Sequence, residues 1–206
     1  MQPVPFWKVP DFIRKFYSGT VWDYRTEKKE IFLTFDDGPA EDITFRVIEE
    51  LGKYDAKATF FCIGRNVERH PDIYSALVEA GHATGNHTYS HVKGWYMSNR
   101  NYYEDVKLAS HYIHSRLFRP PYGMLTPGQA RELQKTYKII MWSTLSVDYD
   151  ASIPANRSLN HVISNAGSGS VVVFHDSVKA SKKLLYMLPK VLDHFSGQGY
   201  TFETIR

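Results

Sequence analysis

Ile31-Phe32-Leu33-Thr34-Phe35-Asp36-Asp37-Gly38-Pro39 is an apolar, β-prone run that stops at two adjacent carboxylates. Gly38-Pro39 permits neither a continuing strand nor an immediate helix. The two acids are therefore expected at the carboxyl end of a buried strand, on a turn. Like charges a few ångströms apart raise one another's pKa, so the pair invites a cation, an arginine or a shared proton. A plain Asp-Gly turn with an acidic decoration fits this segment alone equally well.

Outward from that turn, strand and helix patterns alternate. Asp42 to Lys53 carries Phe45, Ile48 and Leu51 at three-residue spacing, which predicts an amphipathic helix. Lys57–Ile63 reads as a strand. Pro71 opens a helix with Ile73, Leu77 and Val78 on one face and Gly81 to end it. A strand near Ala83–Gly85 leads into Asn86-His87, and Ser98–Ser115 reads as a helix with Tyr102, Val106, Ala109 and Ile113 inward. Leu117-Phe118-Arg119 is a strand stopped by Pro120-Pro121. Thr126-Pro127-Gly128-Gln129 has the form of a capping box. Tyr137–Trp142 is the next strand, followed by a polar loop to about Asn156 and a helix with Leu159, Val162 and Ile163. Ser170–Phe174 is a strand, Leu184 to Phe195 a helical region interrupted by Pro189, and Tyr200–Glu203 a closing strand. Seven strand candidates with short links predict a one-domain α/β fold, either a parallel barrel, closed or incomplete, or a doubly wound sheet. In both, functional groups gather at the carboxyl ends of strands. Asp36-Asp37, His87, Arg119, Trp142 and His175-Asp176 all fall there. Residues 1–29 read as an extension packed on a domain of residues 30–206.

Composition narrows the function classes. The 206 residues carry 25 basic and 22 acidic side chains, a net +3, with no run of like charge to serve a nucleic acid. Fourteen Tyr, twelve Phe and four Trp can pack a core or stack on a ligand. Cys62 is the only cysteine, which rules out an intrachain disulfide. The sequence has no apolar stretch long enough for a transmembrane span and no signal-peptide core. That leans toward the cytoplasm, although a chain cut after its leader would read the same.

Three further motifs carry chemistry. His87-Thr88-Tyr89-Ser90-His91 places two imidazoles four residues apart after a strand, near enough to share a cation; two ordinary surface histidines are the bland reading. With one carboxylate from the Asp36-Asp37 turn they form a set that leaves positions for water and substrate, as catalytic zinc sites do. In Arg119-Pro120-Pro121-Tyr122-Gly123 the prolines remove two donors and leave the Tyr122 amide as the nearest N–H for an oxyanion, while Arg119 can pair with the acid that does not bind the cation. Val172-Val173-Phe174-His175 ends a strand with a candidate general acid or base. His70, His82, His111, His114, His161 and His194 are assigned to packing and surface.

Together these motifs resemble the polysaccharide deacetylase family, the NodB homology domain of carbohydrate esterase family 4. The resemblance runs from about Ile31 to Ile205 and rests on Thr34-Phe35-Asp36-Asp37-Gly38-Pro39, His87-Thr88-Tyr89-Ser90-His91 and Arg119-Pro120-Pro121-Tyr122. It implies a distorted (β/α)7 barrel and metal-dependent removal of N-acetyl groups from amino sugars of an N-acetylated glycan. The implied metal is divalent, usually zinc, with cobalt, nickel or manganese as substitutes. Carried over, Asp36 is the general base, Asp37, His87 and His91 bind the metal, Arg119 positions the base and His175 is the general acid. Pro121, Tyr122, Trp142 and Tyr149 are assigned to substrate. The family's Asp-x-x-Asp-Trp aligns with Leu145-Ser146-Val147-Asp148-Tyr149, so its first Asp is absent and its Trp is Tyr. Asp148 remains to orient Arg119 or His175. Hydrolysis of another non-peptide carbon–nitrogen bond, such as a cyclic amide, and a silent carbohydrate-binding relative are the competing readings.

Overall fold

The computed structural model describes residues 17–206. At its centre is the opening stretch, now strand β1 (Glu30–Asp36), whose residues from Ile31 to Asp36 are all buried. Around it lie β2 (Thr59–Cys62), β3 (Ala83–Asn86), β4 (Leu117–Phe118), β5 (Lys138–Ile139), β6 (Thr144–Leu145), β7 (Val171–His175) and β8 (Thr201–Phe202). The order is β5-β4-β3-β2-β1-β7-β6, with β8 beside the start of β1. Every ladder is parallel. Burial on both faces is what a continuous apolar run such as Ile31–Phe35 requires. Among the described residues no ladder joins β5 to β6, so the barrel is incomplete. Val21 and Asp23 cross this region through bridges to Ile140 and Ser170, and Trp22 is buried between them.

Helices α1 (Ile43–Gly52), α2 (Gly64–Arg69), α3 (Pro71–Glu79), α4 (Asn99–Ala109), α5 (Pro127–Leu133), α6 (Ala155–Asn165) and α7 (Ser181–Ser196) cover the sheet. The capping box forms as expected, with Thr126 Oγ1 accepting from Gln129 N–H and Gln129 Oε1 from Thr126 N–H. No helix among the described residues is long and apolar enough to cross a membrane.

Four local expectations change. In α1 the inward stripe is Ile43, Val47 and Leu51, and Phe45 is 45% exposed, because a stripe stepping by four residues also ends on Leu51 and is the one that meets the core. Val78, 52% exposed, lies one residue beyond the buried pair Ile73 and Leu77. Pro189 does not interrupt α7, since Leu184, Leu188, Val191 and Leu192 bury one stripe on both sides of it. Thr144–Leu145, within the expected polar loop, pairs with Val172 and Val173 as an eighth strand. Helix α2 is an element that the sequence periodicity does not predict.

Candidate active site

The ladders bring the motifs together. Asp36 on β1 is the register partner of His175 on β7, and Asn86, which precedes His87, is the partner of Phe118, which precedes Arg119. Parallel strands end on the same side, so residues far apart in sequence converge. Asp36 and His87 are buried and Asp37, His91 and His175 are partly so.

Arg119 is fully buried with its guanidinium over the Phe61 ring. Its Nη1 donates to Asp36 Oδ1 and to Thr34 Oγ1, both at 2.7 Å, its Nε to Ile140 O at 3.1 Å and its Nη2 to Met141 O at 2.8 Å. Asp36 Oδ1 is thus tied down, leaving Oδ2 for other work. On the other strand, His175 Nδ1 lies 2.7 Å from Asp148 Oδ1, and Asp148 Oδ2 accepts the His175 N–H at 2.8 Å. Asp148 therefore orients His175 rather than Arg119.

The ligand atoms of Asp37, His87 and His91 lie within 4.8 Å of one another. Asp37 Oδ1 is 3.1 Å from His91 Nε2 and 3.7 Å from His87 Nε2, yet it is buried and makes no hydrogen bond of good geometry. An orphaned carboxylate oxygen facing two ring nitrogens suits a cation. The His87 Nδ1 contact to Arg119 O, 2.7 Å, leaves Nε2 with its lone pair free, the arrangement that carbonyl partners give metal-binding histidines. Burial pushes His87 down to about 4, so its imidazole is neutral. Burial also opposes the Asp37 carboxylate, but His91, His175 and His87 outweigh it and hold the group well below the usual range.

Among the described residues, five of the seven non-glycine residues with positive φ, Asp37, Thr88, His91, Tyr122 and Val147, lie at or beside this cluster. Such conformations persist only where surrounding contacts enforce them. Asn86 Oδ1 accepts the Thr88 N–H, and Asp105 Oδ1 accepts those of Tyr89 and Ser90, which shapes the His87–His91 loop.

A family model described as polysaccharide deacetylase matches residues 23–139, over half of the chain. The chain belongs to the polysaccharide deacetylase family. A peptidoglycan-N-acetylglucosamine deacetylase of Bacillus cereus is 34% identical over 197 residues, spanning 89% of this chain and 90% of that protein. The crystal structure of the Bc1960 peptidoglycan N-acetylglucosamine deacetylase, bound to 4-naphthalen-1-yl-N-oxidanyl-benzamide, superposes with a TM-score of 0.84 at 28% identity, over 97% of this chain and 95% of that one. The incomplete barrel is thus the distorted barrel of this family. A pseudoenzyme of the same esterase family from Bacillus anthracis shares the fold alone, with a TM-score of 0.77 at 23% identity over 90% of this chain and 67% of that one. Fold does not guarantee activity, which depends on the residues at the site.

In this polysaccharide deacetylase the aromatic positions divide. Tyr122 is 56% exposed with its ring 4.7 Å from that of His91, and the Tyr149 ring meets the His175 ring edge-on at 4.9 Å. Pro121 is buried in the turn. Trp142 packs against Trp22 and beneath Gly123, where a methyl group would come 2.7 Å from the indole. It shapes the Tyr122–Gly123 turn from below. Thr34, which begins the Thr34–Pro39 motif, and Asp176, placed with His175 at a strand end, have no role assigned from the sequence, and Thr44 and Asn66 carry no sequence signal.

Proposed function

We propose that this chain hydrolyses N-acetyl groups of amino sugars within a glycan, with a divalent cation, zinc first among the candidates, held by Asp37, His87 and His91. The observation that carries the reading is the pairing of Asp36 with Arg119 and of His175 with Asp148 on neighbouring strand ends beside the three-ligand cluster. When bound, the dication supplies Lewis acidity to the acetyl carbonyl and to the attacking water.

The protein's own groups account for the protons. Asp36, held at Oδ1 by Arg119, presents Oδ2 to take a proton from water as the carbon–oxygen bond forms. The developing oxyanion meets the Tyr122 N–H. Pro120 and Pro121 have none to offer, and the N–H groups of Gly123 and Met124 are used inside the turn on Pro120 O and Pro121 O. His175, its Nδ1 on Asp148, delivers the Nε2 proton to the departing nitrogen, so that the carbon–nitrogen bond breaks to give acetate and a free amine. Tyr122 and Tyr149 flank the opening and suit contact with a sugar ring.

The test is acetate release from chitooligosaccharides, peptidoglycan fragments and other N-acetylated glycans, before and after thorough chelation. Release should vanish with the metal and return with zinc. Asp36→Asn should stay metallated and lose about 10²–10⁴-fold in rate, the range for a positioned base. Turnover indifferent to chelation would refute the metal reading, and a fully metallated parent that releases acetate from no glycan would refute the hydrolase.

A further inference from the structure

Asp37 aims its carboxylate from a left-handed backbone, φ 79°, which few residues other than glycine adopt readily. The turn beyond it is pinned from three sides. Asn66 Nδ2 on α2 donates to Asp37 O at 2.8 Å, and the Ile63 N–H donates to Gly38 O at 2.9 Å. On the third side stands Asp176. Its Oδ1 accepts the Gly38 N–H at 3.1 Å, and its Oδ2 accepts the Thr44 hydroxyl at 2.7 Å. Thr44 Oγ1 in turn accepts the Ala40 N–H at 2.9 Å, so the carboxyl grips the turn twice, once directly and once through Thr44. Its own N–H extends the ladder to Asp36 O at 3.1 Å.

Asp176 and Thr44 are buried, and no lysine, arginine or histidine forms an ion pair with Asp176 among the described residues. A methyl group on Gly38 would overlap the Asp176 carboxyl, so this acid is the reason position 38 has no side chain. Neither Asp176 nor Thr44 has a part in the proton transfers above.

We propose that Asp176, with Thr44 as its bridge, is a positioning residue for the metal site: it clamps the Gly38–Ala40 turn and thereby holds Asp37 in the conformation that faces His87 and His91. The inference rests on the metal reading of those three residues. An amide keeps half of this grip: its oxygen can accept from Gly38, but its amino group cannot accept the Thr44 hydroxyl.

The test is zinc affinity of the apoprotein, measured by competition with a chromophoric chelator, together with the visible spectrum of the cobalt form. Asp176→Ala should weaken zinc roughly 10- to 100-fold, the range for groups that orient metal ligands, and alter the cobalt spectrum. Asp176→Asn, which keeps only the Gly38 contact, should fall between the parent and Asp176→Ala. Leu192→Ala, in the core under α7, should lose stability but keep the zinc affinity, which separates positioning from folding. If Asp176→Ala does not fold, Thr44→Val replaces it and should weaken zinc, with Thr44→Ser restoring affinity. A folded Asp176→Ala, or in its place Thr44→Val, with the parent's zinc affinity and cobalt spectrum overturns the clamp, as does equal loss in Asp176→Asn. A parent that binds neither zinc nor cobalt overturns the metal reading itself, and this inference with it.

Discussion

Burial disfavours a charged His175, but the Asp148 carboxylate on Nδ1, assisted by Asp37 and Asp36, outweighs it and carries the imidazole up to about 9. A proton donor with a raised pKa keeps its proton through neutral pH and loses it only on the alkaline side. Activity should therefore fall along an alkaline limb set by His175. A dication on Asp37 would cancel that residue's share and bring the limb below 9, but the Asp148 contribution remains. Asp148→Asn removes a negative neighbour, which lowers the His175 pKa, so the alkaline limb of kcat/KM should move to lower pH by roughly 1–3 units. The profile is the measurement, and a limb that stays in place would assign the proton to another group. At this scale the sequence names Asp36, Asp37, His87, His91 and Arg119 through their spacing, and it leaves the partner of Asp148 open. That choice depends on which strand end faces the loop after β6.

At the scale of elements, the site depends on strands that end level and on short connections that turn at once. Helix α2 belongs to one such connection, and its sequence does not announce it because Gly-Arg-Asn-Val-Glu-Arg has a single large apolar residue, Val67, too few to show a helical period. Its first residue is glycine for a packing reason: a Cβ on Gly64 would lie 2.9 Å from Ala109 Cα on α4 and 3.0 Å from the Tyr89 ring. Gly64→Ala should push α2 off α4 and destabilise the fold by about 1–3 kcal/mol, as overpacking typically does, read as a lower denaturant midpoint at unchanged slope. An unchanged midpoint would mean that α2 can shift without loss. Pro189 teaches the converse. Its missing N–H breaks one rung of α7, yet the buried stripe on either side keeps the helix whole.

Over the whole molecule, a cation held by the turn after β1 and by the loop after β3 would join segments fifty residues apart, Asp37 and His87, so it should stabilise the folded state by mass action. Zinc at one hundred times its dissociation constant should add about 2.7 kcal/mol, seen as a rise in Tm that His91→Ala abolishes. A Tm indifferent to zinc in the parent would count against the site. The sequence by itself determined the alternation of parallel strands and helices, the capping box at Thr126, the stop at Gly38-Pro39 and the motifs that gather at the strand ends. These are local matters, decided by propensity, periodicity and turn chemistry within a few residues of one another. Only the tertiary structure decided that Asp36 stands opposite His175, that Asp148 serves His175, that Phe45 faces out and that Asp176 reaches across to Gly38 and Thr44. The pairings among them depend on strand order and register, and the hydrogen bonds, across 27 to 138 residues, leave no trace in local spacing.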